Sequence, residues 1–233
     1  MTSVAHDPAR GGTHMPAGGD VVRFSRSEIE AIAVKATRGA GFDWGVAEEA
    51  GMAARCLVEA FLPGLHLLLA CLEAPRGSPP GIPGTSWQAP LNGVLCPLAT
   101  GVALSDRAAM LDGPGANDIT IRRLGYPALL LPFAVQVAAR CGQTFRVTWS
   151  GVDVIAMPAG LLTVLSSTLE APEASEVTLS RVTGTPRPLK PVQTGCRVGL
   201  GVWRRLDALA LATTVPATSS SRAGAGSGSS DND

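Results

Sequence analysis

The sequence is poor in the residues that nucleophilic catalysis and nucleic-acid binding most often use. It has only three histidines, and two of them, His6 and His14, fall within the first twenty residues. Charged residues make up 16% of the chain, Lys35 and Lys190 are the only lysines, and the formal net charge is zero. Such a chain lacks the basic surface that nucleic-acid phosphates or an anionic membrane would require. We therefore expect no nucleic-acid partner and no membrane partner.

Signals for export, membrane insertion and metal binding are also missing. The first twenty residues have no apolar segment of the kind found in signal peptides. The longest apolar run, residues 126–139, contains two prolines and is shorter than the roughly 20 residues that a spanning helix needs. The five cysteines include no Cys-x-x-Cys pair, so free thiols in a cytoplasmic protein are expected. We predict no metal site and no cofactor.

The chain does contain enough apolar residues to form a sizeable core. Hydrophobic residues make up 45% of it, and the excess of arginine over lysine is typical of a GC-rich genome. Composition divides the chain into three parts. We predict a flexible arm over residues 1–20, a single globular domain over 21–215 and a flexible Gly/Ser-rich tail over 216–233.

The clearest local pattern is a helical hairpin over residues 25–72. Ser25 followed by Glu28 is the signature of a capping box, and apolar residues then recur at helical spacing. Gly39 and Gly41 end this helix, and a second helix is expected over about 44–60. The Gly-rich string between them follows a helix and lacks the GxGxxG spacing, so it is interpreted as a helix connection and not as a nucleotide-binding loop.

Strand patterns dominate the later part of the chain. Residues 144–149 and 152–157 alternate around Ser150-Gly151, which predicts a β-hairpin, and further strands are expected over 119–122, 177–182 and 197–202. The Pro/Gly-rich stretch 74–90 predicts a long loop, either a surface excursion or a functional flap. Helices first and strands later favour an α+β fold, with the helical hairpin packed on further helices and a small, mainly antiparallel sheet.

Glu49 is the candidate catalytic residue. It lies on the face of the second helix that also carries Ala53 and Cys56, where small side chains suggest close packing. A carboxylate that is partly desolvated there would have a raised pKa, which suits general acid–base catalysis. The alternative is a boundary glutamate that keeps its carboxylate in water or pairs with an arginine.

Four further residues are candidates for binding a small acidic substrate. Arg107 and Arg123 would act as anion clamps, although an Asp-Arg pair beside a loop is more often a cap or a surface ion pair. Trp44 opens the second helix. His66 is the only histidine in the body of the chain, and on its very apolar helix the alternative is a satisfied or half-buried core histidine.

Three segments resemble an uncharacterised bacterial family that carries a domain of unknown function. They are residues 25–72 with RGAGFDWGVAEEAG at 38–51, PLATGVALSDRA at 97–108, and the ending VPATSSSRAGAGSGSSDND. The family implies no activity. The hairpin alone, with its SxxEIEAIAxKA and AARCLVEAFLPG patterns, is also similar to the N-terminal helices of the malate/L-lactate dehydrogenase family. That family's Asp-Leu-Arg-Gly and Ser-His-Gly residues are absent here, where the chain reads FLPGLHLLL.

These observations leave three functional hypotheses. The first is an accessory or non-catalytic subunit that works with a small-molecule metabolic enzyme, binding a protein partner or a second copy of itself. The second is a small-molecule enzyme that uses Glu49 with Arg107 or Arg123. The third is a ligand-binding module without catalytic chemistry. The scarcity of histidine and the lack of any catalytic motif favour the first.

Overall fold

A computed structural model gives the fold, and it describes residues 20–82, 84–166, 169–182 and 196–213. Within these ranges six α-helices and eight strands form an α+β fold. The predicted tail and all of the predicted arm except Asp20 lie outside the described residues. The division into arm, domain and tail stays a prediction.

The helical hairpin is confirmed. Strand β1 (Val21–Phe24) leads into α1 (Arg26–Gly39), and α2 (Trp44–Glu59) follows. At the start of α1 the Glu28 amide donates to Ser25 Oγ at 3.2 Å and the Ser25 amide donates to Glu28 Oε2 at 2.7 Å, which completes the capping box. Gly41 adopts a left-handed φ of 84°, which turns the chain between the two helices.

The remaining helices pack around this hairpin. They are α3 (Gly64–Glu73), α4 (Pro97–Asp106), α5 (Leu131–Cys141) and α6 (Leu200–Leu211). Helix α1 packs on α2 and α6, while α2 also contacts α3, α4 and α5. Pro132 shifts the start of α5 to Leu131, because proline is tolerated only in the first turn, and a 3₁₀ turn over Pro127–Leu130 precedes it.

A six-stranded sheet in the order β2-β3-β7-β4-β5-β6 forms the second layer. Its strands are β2 (Ser86–Trp87), β3 (Ile119–Gly125), β4 (Phe145–Trp149), β5 (Val152–Met157), β6 (Gly160–Ser166) and β7 (Glu173–Arg181). Only the β2–β3 pair is parallel. Helix α5 lies across β4, β5 and β6, and strand β8 (Cys196–Gly199) pairs with β1 as a separate two-stranded sheet.

The stretch predicted as a long loop over 74–90 is only partly a loop. Residues 86–87 form β2 beside β3, and the Trp87 side chain is fully buried with its indole N–H donating to the Gly84 carbonyl at 3.0 Å. The interpretation of the whole stretch as a surface excursion or flap is therefore wrong. Burial of a large aromatic side chain fixes this segment to the body of the protein.

Candidate functional site

Two arginines and two aromatic rings gather at the turn between α1 and α2. Arg38, in the last turn of α1, donates from Nη1 to the Phe42 carbonyl at 2.5 Å. Its guanidinium carbon lies 5.2 Å from the centroid of the Trp44 ring. Arg76, in the loop after α3, places its guanidinium carbon 3.8 Å from the centroid of the Phe42 ring. We call Arg38, Phe42, Trp44 and Arg76 the arginine–aromatic cluster.

The cluster is partly open to solvent, because Trp44 and Arg76 are exposed whereas Arg38 and Phe42 are half-buried. Gly41 turns the chain before Phe42, which packs partly buried against the hydrophobic core, and α2 begins at Trp44, whose side chain is 60% exposed. Phe42 is contacted by both arginines, one at its carbonyl and one at its ring. Each guanidinium carbon lies over an aromatic ring, and the N–H groups that make no hydrogen bond within the described chain are available to a partner.

The charges of the cluster are not neutralised by carboxylates of the described chain. Neither Arg38 nor Arg76 forms an ion pair with a described residue, and neither does Asp43, which lies between Phe42 and Trp44 in the sequence. Seven other arginines are paired internally: Arg26 with Glu59, Arg55 with Glu30, Arg107 with Asp112, Arg122 with Glu176, Arg123 with Glu173, Arg146 with Asp153 and Arg205 with Glu73. Arg38 and Arg76 can therefore bind an anion from outside the described chain.

Glu49 lies half-buried in the middle of α2, where this helix meets α5. Its Oε2 accepts a hydrogen bond from Gln136 Nε2 at 2.8 Å, and the same amide nitrogen lies 3.5 Å from Met52 Sδ. The carboxylate is thus held by a neutral amide, in contrast to the arginine-paired carboxylates elsewhere. The role of Glu49 as an acid–base residue stays a prediction.

The two predicted anion clamps are both engaged within the chain. Arg107, at the end of α4, is half-buried and paired with Asp112 through Nη2, while its buried Nε has no hydrogen-bond partner among the described residues. Arg123 on β3 pairs with Glu173, with 3.0 Å between Nε and Oε1, and it also donates a hydrogen bond to the Asn92 carbonyl. A substrate anion would have to displace these internal partners.

The five predicted site residues lie on four separate elements. Trp44 and Glu49 share α2, His66 lies on α3, Arg107 follows α4 and Arg123 lies on β3. His66 is exposed, so its interpretation as a satisfied or half-buried core histidine is wrong. Among the described residues no hydrogen bond or ion pair joins two of the five, and their roles in binding or catalysis remain predictions.

Sequence reasoning identified Trp44 but missed the other three members of the cluster. The string from Arg38 to Trp44 carried a usable signal, because two aromatic rings follow an arginine within six residues in a chain with only 4% aromatics. Arg76 carried none, since a Pro/Gly-rich loop does not reveal which surface it crosses. In the part of the chain that the structure describes, no three His, Cys, Asp or Glu side chains gather as a metal site.

The thiols of α2 and α3 are poor nucleophiles in this fold. Burial raises the pKa of Cys56 to about 11, with a further contribution from the negative charge of Glu59, and burial raises the pKa of Cys71 to about 12. At pH 8 both groups are therefore almost entirely protonated thiols, and the thiolate is the reactive form.

We expect both thiols to react with iodoacetamide far more slowly at pH 8 in the folded protein than in urea. Because the unfolded thiols ionise near pH 8.5–9, the unfolded state binds fewer protons above that pH, and the free energy of unfolding falls as the pH rises toward 11–12. Mass-spectrometric labelling and urea unfolding at pH 8 and pH 10 measure these effects. Equal labelling rates in the two states would contradict the burial of these thiols.

The cluster lies within the segment that matches a known family model. Residues 24–91 match DUF3726, a protein family of unknown function. The predicted resemblance to an uncharacterised family is confirmed for this segment, which is less than half of the chain. The DUF3726 segment contains α1, α2, α3 and β2, and thus every member of the arginine–aromatic cluster.

Two further comparisons concern the whole chain. A solved structure titled as a dehydrogenase from Sinorhizobium meliloti is similar in fold, with a TM-score of 0.53 and 14% sequence identity over 82% of this chain and 100% of that chain. At that identity the likeness shows the fold alone, and it does not confirm the predicted similarity of the hairpin to malate/L-lactate dehydrogenases. No curated protein matches the sequence.

None of the described helices combines the length and apolarity that a membrane crossing requires.

Proposed function

We propose that this protein is a cytoplasmic, non-catalytic accessory subunit that binds a small-molecule metabolic enzyme. The observation that carries the proposal is the arginine–aromatic cluster, in which Arg38 lies over the exposed Trp44 ring, Arg76 lies over the neighbouring Phe42 ring, and no described carboxylate pairs with either arginine. Tryptophan and arginine are the residue types most enriched at the energetic centres of protein–protein interfaces. An exposed surface of this composition suits a protein partner.

The internal contacts of the predicted catalytic and substrate-binding residues support a subunit without catalytic activity of its own. Arg107 and Arg123 each bind a carboxylate of the same chain, and Glu49 is bound by the Gln136 amide. The contacts with Asp112, Glu173 and Gln136 use part of the hydrogen-bonding capacity of these three residues, while Arg107 Nε has no partner among the described residues.

Co-purification of the tagged full-length chain from its native cells tests this proposal. We expect an enzyme that acts on small molecules to co-purify with the wild type and to be lost with Trp44→Ala. Leu111→Ala is the matched control, because Leu111 is also an exposed apolar residue but lies in the loop after α4. A chain that purifies without any enzyme, or that turns over a substrate by itself, would refute the accessory role.

The runner-up is a small-molecule enzyme in which Glu49 is the acid–base residue, and the specific observation favouring it is the half-buried Glu49–Gln136 contact. Replacement by glutamine separates the two proposals. The side-chain carbonyl of the introduced glutamine can still accept from Gln136, so we expect Glu49→Gln to change the free energy of unfolding by less than about 1 kcal/mol. The accessory role predicts unchanged partner binding, whereas the runner-up predicts loss of turnover.

A further inference from the structure

We propose that the partner docks on the arginine–aromatic cluster with an acidic segment, in which aspartate or glutamate side chains stand beside an apolar residue. This inference rests on the proposed function and names the chemistry by which the partner is recognised. It follows from two properties of the same surface. Arg38 and Arg76 present positive charge that is not neutralised by the described chain, and Trp44, in contact with Arg38, presents an exposed apolar ring.

The arginines are prepared for carboxylates. The cation–π contacts of Arg38 with Trp44 and of Arg76 with Phe42 restrict both guanidinium groups, so less side-chain freedom is lost when a carboxylate binds them. Arg38 donates a hydrogen bond from Nη1 to the Phe42 carbonyl, which fixes the orientation of the guanidinium and leaves its Nε and Nη2 for a partner. Arginine edges bind carboxylates through two parallel N–H···O bonds, which adds geometric specificity to the charge attraction.

The surrounding charges favour an anion but do so moderately. Lys35 lies one turn before Arg38 on α1 and adds a third positive charge, while Asp43 and Glu48 contribute two negative ones. The local balance is therefore positive by one charge. Selectivity must come mainly from direct contact with Arg38 and Arg76, and Asp43 is expected to weaken binding through like-charge repulsion.

The apolar part of the surface sets the second requirement. Trp44 is 60% exposed, yet Arg38 lies over its ring, so the indole is held in place instead of moving freely in water. A protein segment that brings a phenyl or aliphatic side chain against this ring removes apolar surface of both molecules from water. An isolated carboxylate would leave the ring uncovered, which is why the segment needs both residue types.

The test is selection of random peptides on phage against the immobilised full-length chain, followed by Kd measurements with one selected peptide. We expect the selected peptides to be enriched in Asp or Glu next to an aromatic or aliphatic residue. Arg76→Gln should weaken the peptide by about tenfold or more, and Trp44→Leu similarly. Asp43→Asn should tighten it about two- to threefold, and binding should weaken with rising salt.

Arg122→Gln is the control, because Arg122 is an exposed arginine on the sheet whose ion pair with Glu176 is also exposed. Arg38→Lys keeps the positive charge but loses the pair of parallel N–H donors that the guanidinium offers to a carboxylate. It should therefore weaken binding less than Arg38→Gln does. Melting temperatures of all variants establish that each is folded. Peptides without acidic enrichment, or equal binding by Arg76→Gln and the wild type, would overturn the inference.

Other occupants give different results. Light scattering that shows a dimer, which Trp44→Leu dissociates, would assign the surface to a second copy and overturn the inference. If an enzyme co-purifies but Arg76→Gln leaves its affinity unchanged, the accessory role stands and the docking site is refuted. If acidic peptides bind as expected and no enzyme co-purifies, the docking chemistry stands and the accessory role fails.

Discussion

Replacement of Gly39 by alanine is expected to lower the free energy of unfolding by about 2–3 kcal/mol, the upper part of the range of about 1–3 kcal/mol seen when close-packed sites are overfilled. A Cβ atom added at Gly39 would lie 1.8 Å from the Leu209 carbonyl oxygen and 2.6 Å from its carbon. These are backbone atoms of α6, which cannot move without separating α6 from α1. Urea denaturation followed by circular dichroism measures the change.

Gly45→Ala is the matched control for this prediction. Gly45 lies in the first turn of α2, and a Cβ atom there would meet nothing within 4 Å. Because alanine favours helix more than glycine does, this substitution should raise the free energy of unfolding by up to about 1 kcal/mol. If Gly39→Ala were as stable as Gly45→Ala, the close approach of α1 to α6 would be wrong.

The second large effect is expected at Gly101, where α4 meets the buried ring of Phe133 on α5. A Cβ atom at position 101 would lie 2.2 Å from Phe133 Cδ2 and 2.5 Å from Cε2. The ring is fully buried and cannot swing into solvent. Gly101→Ala should therefore lower the free energy of unfolding by about 3 kcal/mol, despite its gain in helix propensity.

A double-mutant cycle with Phe133→Leu identifies the cause of that loss. Leucine at 133 removes the ring atoms that the new methyl group would strike, so the double variant should lose at least about 1 kcal/mol less than the two single losses together. Thermal and urea unfolding of the four proteins provide the cycle. Additive losses would show that Gly101 is required for a reason other than Phe133.

The elements that depend on local chemistry were predictable from the sequence. The capping box at Ser25, the left-handed Gly41 and the turn at Ser150-Gly151 involve residues close together in the chain, and all of them are found where the patterns indicate. Helix α2 starts at Trp44 after Asp43, although the Asp43 side chain makes no capping hydrogen bond. In these cases local preference and tertiary packing favour the same structure.

The elements that depend on distant partners were not predictable. Strand β2 has only two residues and exists because it pairs with β3 more than thirty residues later. Strand β1 pairs with β8 at the far end of the chain. At Arg123 the backbone is left-handed, with φ of 52°, and the alternation of buried and exposed residues breaks there. The sequence pattern therefore predicts a strand that ends at residue 122, whereas β3 continues to Gly125.

The candidate site shows the same division. Trp44 and Glu49 could be selected from the pattern of α2, but their partners could not. Gln136 lies 87 residues from Glu49 along the chain, and Arg76 lies 34 residues from Phe42. His66 was misjudged because an apolar helix of this composition suggests burial all round, whereas the side chain at position 66 faces solvent. Side-chain pairing across elements needs tertiary structure.

The fold also explains why the hairpin, and not the sheet, is the part expected to recognise a partner. Helix α1 is anchored by α6 at Gly39, and α2 is anchored by α5 at Glu49, so the turn between them is supported on both sides. Three members of the arginine–aromatic cluster, Arg38, Phe42 and Trp44, lie at this supported turn, and Arg76 contacts it from the loop after α3. A preorganised surface loses less conformational entropy on binding than a mobile one, which favours affinity.

The turnover of the co-purified enzyme tests most directly the proposal that the chain acts on a partner enzyme and not on a substrate. Its kcat and KM are measured with increasing amounts of purified wild-type chain, of Trp44→Ala and of Leu111→Ala. We predict a saturable change of severalfold with the wild type and with Leu111→Ala, a much weaker change with Trp44→Ala, and no turnover by the chain alone. Unchanged kinetics at saturation, or turnover by the chain alone that Glu49→Gln abolishes, would contradict the account.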